Sequence, residues 1–228
     1  MSERELEIAA ALKSVEVKIL GAAKKAGRDR NEITLIAVTK TYPASDVEIL
    51  RNLGVENFGE NRSEEGVTKS EQVSGIWHFQ GQVQSRKLRD IADWASYVHS
   101  LDSADHVAKL SRIATELEKE ISIFLQLSLD GAPDRGGVRS TELKALADTA
   151  ANLPNIKLVG LMCVPPVELE HERAFSEIAS FHQGFLNNFP AATYLSAGMS
   201  SDFEVAITHG ATHLRIGSQI LGSRPYHP

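Results

Sequence analysis

The chain has 228 residues, with 24 Lys+Arg against 30 Asp+Glu and a formal net charge of −6. Hydrophobic residues make up 42 % and charged residues 24 %, ordinary globular usage that excludes a disordered chain; at this length roughly 70 % of the unfolded surface is buried. The acidic balance argues against a general nucleic-acid binder, the single cysteine, Cys163, excludes a disulfide-built fold, and no apolar run is long enough to span a bilayer.

The N-terminal Met1-Ser-Glu-Arg-Glu-Leu-Glu7 has no apolar stretch of the secretory kind. A cytoplasmic protein is expected, with one domain over residues 1–228. Leu6, Ala9, Ala10, Leu12, Val15, Ile19 and Ala22 fall near helical spacing, which predicts an amphipathic helix over Glu3–Lys25 ending near Gly27. An alternation follows. Short apolar runs, many rich in β-branched residues, lie at 33–38, 55–58, 76–79, 97–99, 121–127, 157–162, 193–195 and 213–216. Segments of helical pattern lie at 44–53, 60–72, 84–94, 104–119, 141–153, 168–188 and 201–209. Strands that alternate with helices imply parallel pairing, and eight of them close a barrel. The expected fold is α/β: a single (β/α)8 TIM-like barrel with an extra N-terminal helix. The alternative, an open doubly wound sheet, announces itself by a glycine-rich turn after its first strand when it binds a dinucleotide. Here that strand runs into Thr39-Lys-Thr-Tyr-Pro43, which has no glycine.

Barrels carry their chemistry at the carboxyl ends of the strands. Lys40 follows the first strand. There a partly desolvated amine has a lowered pKa and can form a Schiff base; a snorkelling or ion-paired lysine is the plainer reading. Asn61 follows the second strand, in Phe58-Gly-Glu-Asn61. The seventh leads into Ser196-Ala-Gly-Met-Ser-Ser-Asp202, a small-residue turn before a helix whose amides suit an anion, though the same serines suit plain capping. The eighth carries Arg215-Ile-Gly217-Ser218, with a close backbone approach at Gly217 and a hydroxyl at Ser218. Barrels often bind phosphate at these last two loops. A buried Arg215 needs an acceptor: either a carboxylate such as Glu60 or the ring nitrogen of a cofactor. His78 reads as a satisfied core histidine, Cys163 as an inert buried thiol, and Asp130-Gly-Ala-Pro-Asp-Arg-Gly-Gly137 as a loop beside the mouth. No metal-ligand spacing is evident, nor a dinucleotide, P-loop or nucleophile-elbow motif.

Leu35-Ile-Ala-Val-Thr-Lys-Thr41, Phe58-Gly-Glu-Asn-Arg62, Trp77-His-Phe79 with Gln84-Ser-Arg-Lys87, Gly160-Leu-Met162, Leu195-Ser-Ala-Gly-Met-Ser200 and Arg215-Ile-Gly217 with Gly222 span nearly the whole chain. Together they resemble the pyridoxal phosphate homeostasis proteins, which are related to the N-terminal barrel of alanine racemase. The resemblance implies a barrel holding pyridoxal 5′-phosphate (PLP). Lys40 falls on the family's Schiff-base lysine and Asn61 on an asparagine lining the site. Ser196, Gly217 and Ser218 fall on the phosphate cradle, and Arg215 on the residue facing the pyridine nitrogen. Gln80 stands where many members have an aliphatic residue, Ser218 often appears as threonine, and Asp134-Arg-Gly-Gly137 replaces a Lys-x-Gly pattern. The implied function is PLP homeostasis without catalysis: storage, masking of the aldehyde and delivery to apoenzymes. The alternative is a racemase-like enzyme. Racemases similar to this barrel add a C-terminal β domain bearing a catalytic tyrosine, whereas this chain stops at Pro228, so a non-enzymatic monomer is expected.

Overall fold

The computed structural model describes residues 1–132 and 135–222, and over them the expected alternation closes on itself. The strands are β1 (Thr34–Val38), β2 (Asn57–Glu60), β3 (Ile76–Phe79), β4 (Tyr97–Leu101), β5 (Ile121–Leu127), β6 (Ile156–Cys163), β7 (Tyr194–Met199) and β8 (His213–Ile216). Each pairs in parallel with the next, and β1 pairs with β8, giving a closed eight-stranded barrel. The helices are α1 (Glu3–Lys25), α2 (Ala44–Asn52), α3 (Ser63–Gln72), α4 (Leu88–Trp94), α5 (Ala104–Glu116), α6 (Ser140–Ala151), α7 (His171–Leu186), α8 (Phe203–Thr208) and α9 (Ser218–Leu221). No described helix is long and apolar enough to cross a membrane.

Strands covered on both faces read as apolar runs, and β1, Thr-Leu-Ile-Ala-Val, is of that kind. Leu35, Phe58, Trp77 and Leu125 meet the buried faces of the surrounding helices in one core with Val47, Leu50, Ile91 and Phe175. Inside the barrel the filling is unusually polar. His78 stacks on Tyr97 with ring centroids 4.6 Å apart, His99 stacks on Phe124 at 4.2 Å, and His213 lies 4.7 Å from Tyr194. Phe124, Val159 and Met162 form a small apolar cluster of their own. The extra helix α1 buries Ile8, Leu12, Val15 and Ile19 and packs on α8 and α9. Arg4 ties it to Asp46 at 2.6 Å and to the Leu221 carbonyl at 2.9 Å.

Several boundaries differ from the sequence reading. β2 starts two residues later than expected and takes in Glu60, whose charge the strand tolerates because Lys69 of α3 meets it at 2.7 Å. β7 runs on to Met199, through a stretch read as turn, because an extra residue is accommodated between the pairs Ser196–His213 and Met199–Arg215. Gly198 lies within that bulge with φ 96°, and a Cβ there would stand 2.7 Å from Ala206 Cβ. The short α9 follows Gly217 directly and has no apolar periodicity to betray it.

Candidate functional site

A cleft of about 360 Å³ opens at the carboxyl ends of the strands. Lys40, Asn61, Arg215, Gly217 and Ser218 all line it, so five positions singled out from strand ends converge on one space. Lys40 sits in the turn after β1. Asn61 follows β2 and is seated by a close crossing, since a Cβ on Gly81 would lie 2.0 Å from the Asn61 carbonyl oxygen.

Arg215 is 6 % exposed. It donates through Nη1 to the Ser196 carbonyl and to Ser196 Oγ, both at 2.7 Å, and through Nη2 to the Cys163 carbonyl at 3.1 Å. A guanidinium carries five N–H donors, so donors remain for the cleft. Burial pulls its pKa down to about 10. The suggested pairing with Glu60 does not occur. Glu60 faces outward from the barrel, where Lys69 Nζ and Thr39 Oγ1 (2.5 Å) both donate to its Oε1. Burial nevertheless raises the Glu60 pKa, with Lys69 opposing.

Ser196 requires a correction. It is fully buried beneath Arg215 and does not line the cleft. The bulge at Gly198 carries the strand past it, so Met199, Ser200 and Ser201 form the wall instead. The serines facing Ser218 are thus Ser200 and Ser201, which the sequence reading held only as members of a turn. Gln219 Nε2 donates to the Ser200 carbonyl and ties the two loops together. The first amides of α8 and α9, which helices leave without internal partners, belong to these same loops.

Ser196 belongs to a hydrogen-bonded file through the barrel interior. His99 Nδ1 lies 2.8 Å from Ser196 Oγ, His78 Nδ1 lies 2.9 Å from His99 Nε2, and Asn57 Oδ1 lies 3.0 Å from His78 Nε2. Arginine can only donate. Its bond to Ser196 leaves the hydroxyl proton for His99 Nδ1, which then donates from Nε2 to His78 Nδ1, and His78 donates from Nε2 to Asn57. The network thereby assigns both imidazoles as neutral Nε2–H tautomers, and donors aligned in one direction reinforce one another. Burial, first of all, holds both histidines well below the ordinary imidazole pKa.

The remaining walls are Val38, Met162 and Val164, with Tyr42 and Gln80 at the sides. Tyr42 donates its hydroxyl to the Gly222 carbonyl at 2.6 Å. Gln80 Nε2 is buried with no hydrogen-bond partner among the described residues, an orphan donor of the kind a ligand can satisfy. Gln80 also lines an adjoining polar chamber of about 210 Å³ with Ser100, Asp102 and Arg135. Arg135 is held by Asp130 at 3.3 Å and the Val164 carbonyl at 2.7 Å; Asp134 of the atypical loop motif lies outside the described residues. Cys163 is fully buried, which pushes its thiol up to about 12, so it is unreactive.

An amine, a cation with donors to spare, two serine- and glycine-lined loops and apolar walls fit an aromatic aldehyde bearing a phosphate. The family model for the alanine racemase N-terminal domain matches residues 20–225. A Mycobacterium leprae protein called pyridoxal phosphate homeostasis protein is 39 % identical, over 96 % of this chain and 94 % of its own length. An Escherichia coli protein of the same name is 37 % identical over 96 % of this chain and 98 % of its own. The chain belongs to the pyridoxal phosphate homeostasis protein family. The structure of PipY of Synechococcus elongatus, solved with PLP bound, superposes with a TM-score of 0.83 at 30 % identity, covering 94 % of this chain and all of that one.

Proposed function

We infer that this protein binds PLP in the barrel-mouth cleft, holds its aldehyde as a Schiff base on Lys40, and stores and delivers the cofactor to apoenzymes without catalysis of its own, as a cytoplasmic monomer. One observation carries the reading: Lys40, the buried Arg215 and the loops bearing Ser200, Ser201, Gly217 and Ser218 share a single cleft. The bound cofactor supplies an electrophilic aldehyde. The chain supplies the rest. The Lys40 amine masks the aldehyde reversibly. The serine hydroxyls and helix-terminal amides hold the phosphate. Arg215 presents a permanent donor to the ring nitrogen, which keeps that nitrogen unprotonated and weakens the ring as an electron sink. That last feature favours holding over turnover.

The racemase-like alternative needs an acid and a base on opposite faces of the ring. Among the described residues, the tyrosine that lines this cleft is Tyr42, and it gives its hydroxyl to the Gly222 carbonyl. The test is a mixing experiment beside an amino-acid panel. PLP-loaded protein is expected to activate an apoenzyme and to turn over no amino acid faster than free PLP does. Turnover at about 1 s⁻¹ or more, the low end of ordinary enzyme rates, that disappears in Lys40→Ala would establish the enzyme instead.

A further inference from the structure

The turn that presents Lys40 is strained at its next residue. Tyr42 N donates to the Thr39 carbonyl at 3.0 Å, which closes a four-residue turn with Lys40 and Thr41 at its corners. Thr41 has φ 71° and Lys40 has no positive φ. Positive φ at the third residue alone marks a type II turn, where glycine is the usual occupant. A β-branched residue there is a steric outlier. Types I and II differ by a flip of the central peptide, here the one joining Lys40 and Thr41. Type I would return threonine to negative φ, so something outside the turn must hold type II.

The holding groups lie on α3 and β2. Thr41 N donates to Glu65 Oε2 at 2.7 Å. Lys69, one helical turn beyond Glu65, donates to that same oxygen at 3.0 Å, to Glu60 Oε1 at 2.7 Å and to the Thr39 carbonyl at 2.8 Å. The amide after Lys40 and the carbonyl before it are therefore both tied to one charge cluster. Lys69 is 5 % exposed and Glu60 fully buried, so the Lys69–Glu60 arm is shielded from water and resists screening, whereas Glu65, with its side chain 22 % exposed, reaches Thr41 N from the solvent side. Neither Glu65 nor Lys69 lines the cleft.

We propose that Glu65 and Lys69 are positioning residues for Lys40: they clamp the Lys40–Thr41 peptide in its type II orientation and so fix the backbone from which the amine meets an aldehyde. The proposal rests on the reading that Lys40 bonds the aldehyde of PLP. Because the clamp stands outside the cleft, it acts on a ligand that bonds Lys40 and not on one held only by ring and phosphate.

Pyridoxine 5′-phosphate, which has an alcohol in place of the aldehyde, is such a ligand. The experiment measures dissociation constants for PLP and for pyridoxine 5′-phosphate on the full chain, with melting temperatures of the unliganded forms. Glu65→Ala is expected to weaken PLP about tenfold, a modest share of what misplacing a reacting group costs, and pyridoxine 5′-phosphate by less than about twofold. Adding Thr41→Gly should recover most of the PLP affinity, since glycine takes positive φ without strain. Lys69→Met with Glu60→Gln removes the other arm without leaving a lone buried charge, and should show the same selectivity. Equal loss for both ligands, no loss for either, or failure of Thr41→Gly to restore PLP would overturn the clamp and leave a cluster that serves stability alone. A wrong reading of the site gives a different result: Lys40→Ala would then leave the preference for PLP over pyridoxine 5′-phosphate as it is in the parent.

Discussion

Arg215 is a buried cation whose hydrogen bonds end on two carbonyls and one hydroxyl. Among the described residues no carboxylate hydrogen-bonds to it; its bond to Ser196 continues through His99 and His78 to Asn57. Ser196→Ala would strand His99 Nδ1 and one arginine N–H, each a buried group left unmet. The expected loss of stability is about 1–3 kcal/mol in urea unfolding, with little change in phosphate affinity. Ser200→Ala with Ser218→Ala should do the reverse. PLP and pyridoxine 5′-phosphate should both weaken by about 1–3 kcal/mol, the scale of hydrogen bonds to a charged group, while the unliganded protein unfolds as before. If the Ser196 variant weakens both ligands and the double variant neither, the phosphate lies against Ser196 after all. At this scale the strand-end rule named Lys40, Asn61, Arg215, Gly217 and Ser218, and all five line one cleft. It failed at Ser196 because a bulge changes the count along a strand, and nothing in alternating hydrophobicity reveals one.

Among the elements, β7 with its bulge is the one that shapes the cleft. Gly198 needs both its positive φ and its missing side chain. Gly198→Ala is expected to cost about 1–3 kcal/mol of stability and to weaken both ligands, because the displaced loop carries Ser200 and Ser201. Calorimetry on the variant checks both; unchanged affinity would mean that the loop finds its place without the bulge. The same limit on sequence reading shows in β2. Val55 is apolar and looks like a strand start, yet the paired residues are Asn57 to Glu60, because strand pairing and the partner Lys69 fix the register. The left-handed Thr41 was likewise invisible, since no glycine marks the turn.

For the whole molecule, the barrel was legible because parallel strands buried on both faces spell apolar runs between helical patterns. The polar interior was not legible, because Asn57, His78, His99, Ser196 and Arg215 meet only when the sheet closes. That interior has a consequence for pH. His78 and His99 are held well below the ordinary imidazole pKa by burial, and His213 is brought down to about 4, first by burial and then by Arg215. Unfolded imidazoles bind protons near pH 6.5 that the folded ones refuse. Stability is therefore full above about pH 6.5 and falls as pH drops below it, with His213 alone costing roughly 2 kcal/mol between pH 7.5 and 5 and His78 and His99 adding to the loss in the same direction. Urea unfolding at the two pH values measures this; equal stability would mean that the histidines take up protons inside the barrel.

The most direct test of the Lys40 assignment is chemical. The protein is loaded with PLP, reduced with borohydride, digested and mapped by mass spectrometry. A single pyridoxyl label on Lys40, absent from Lys40→Ala, is the expected result. A label on Lys69 or Lys87, or none on a protein that still retains PLP, would contradict it.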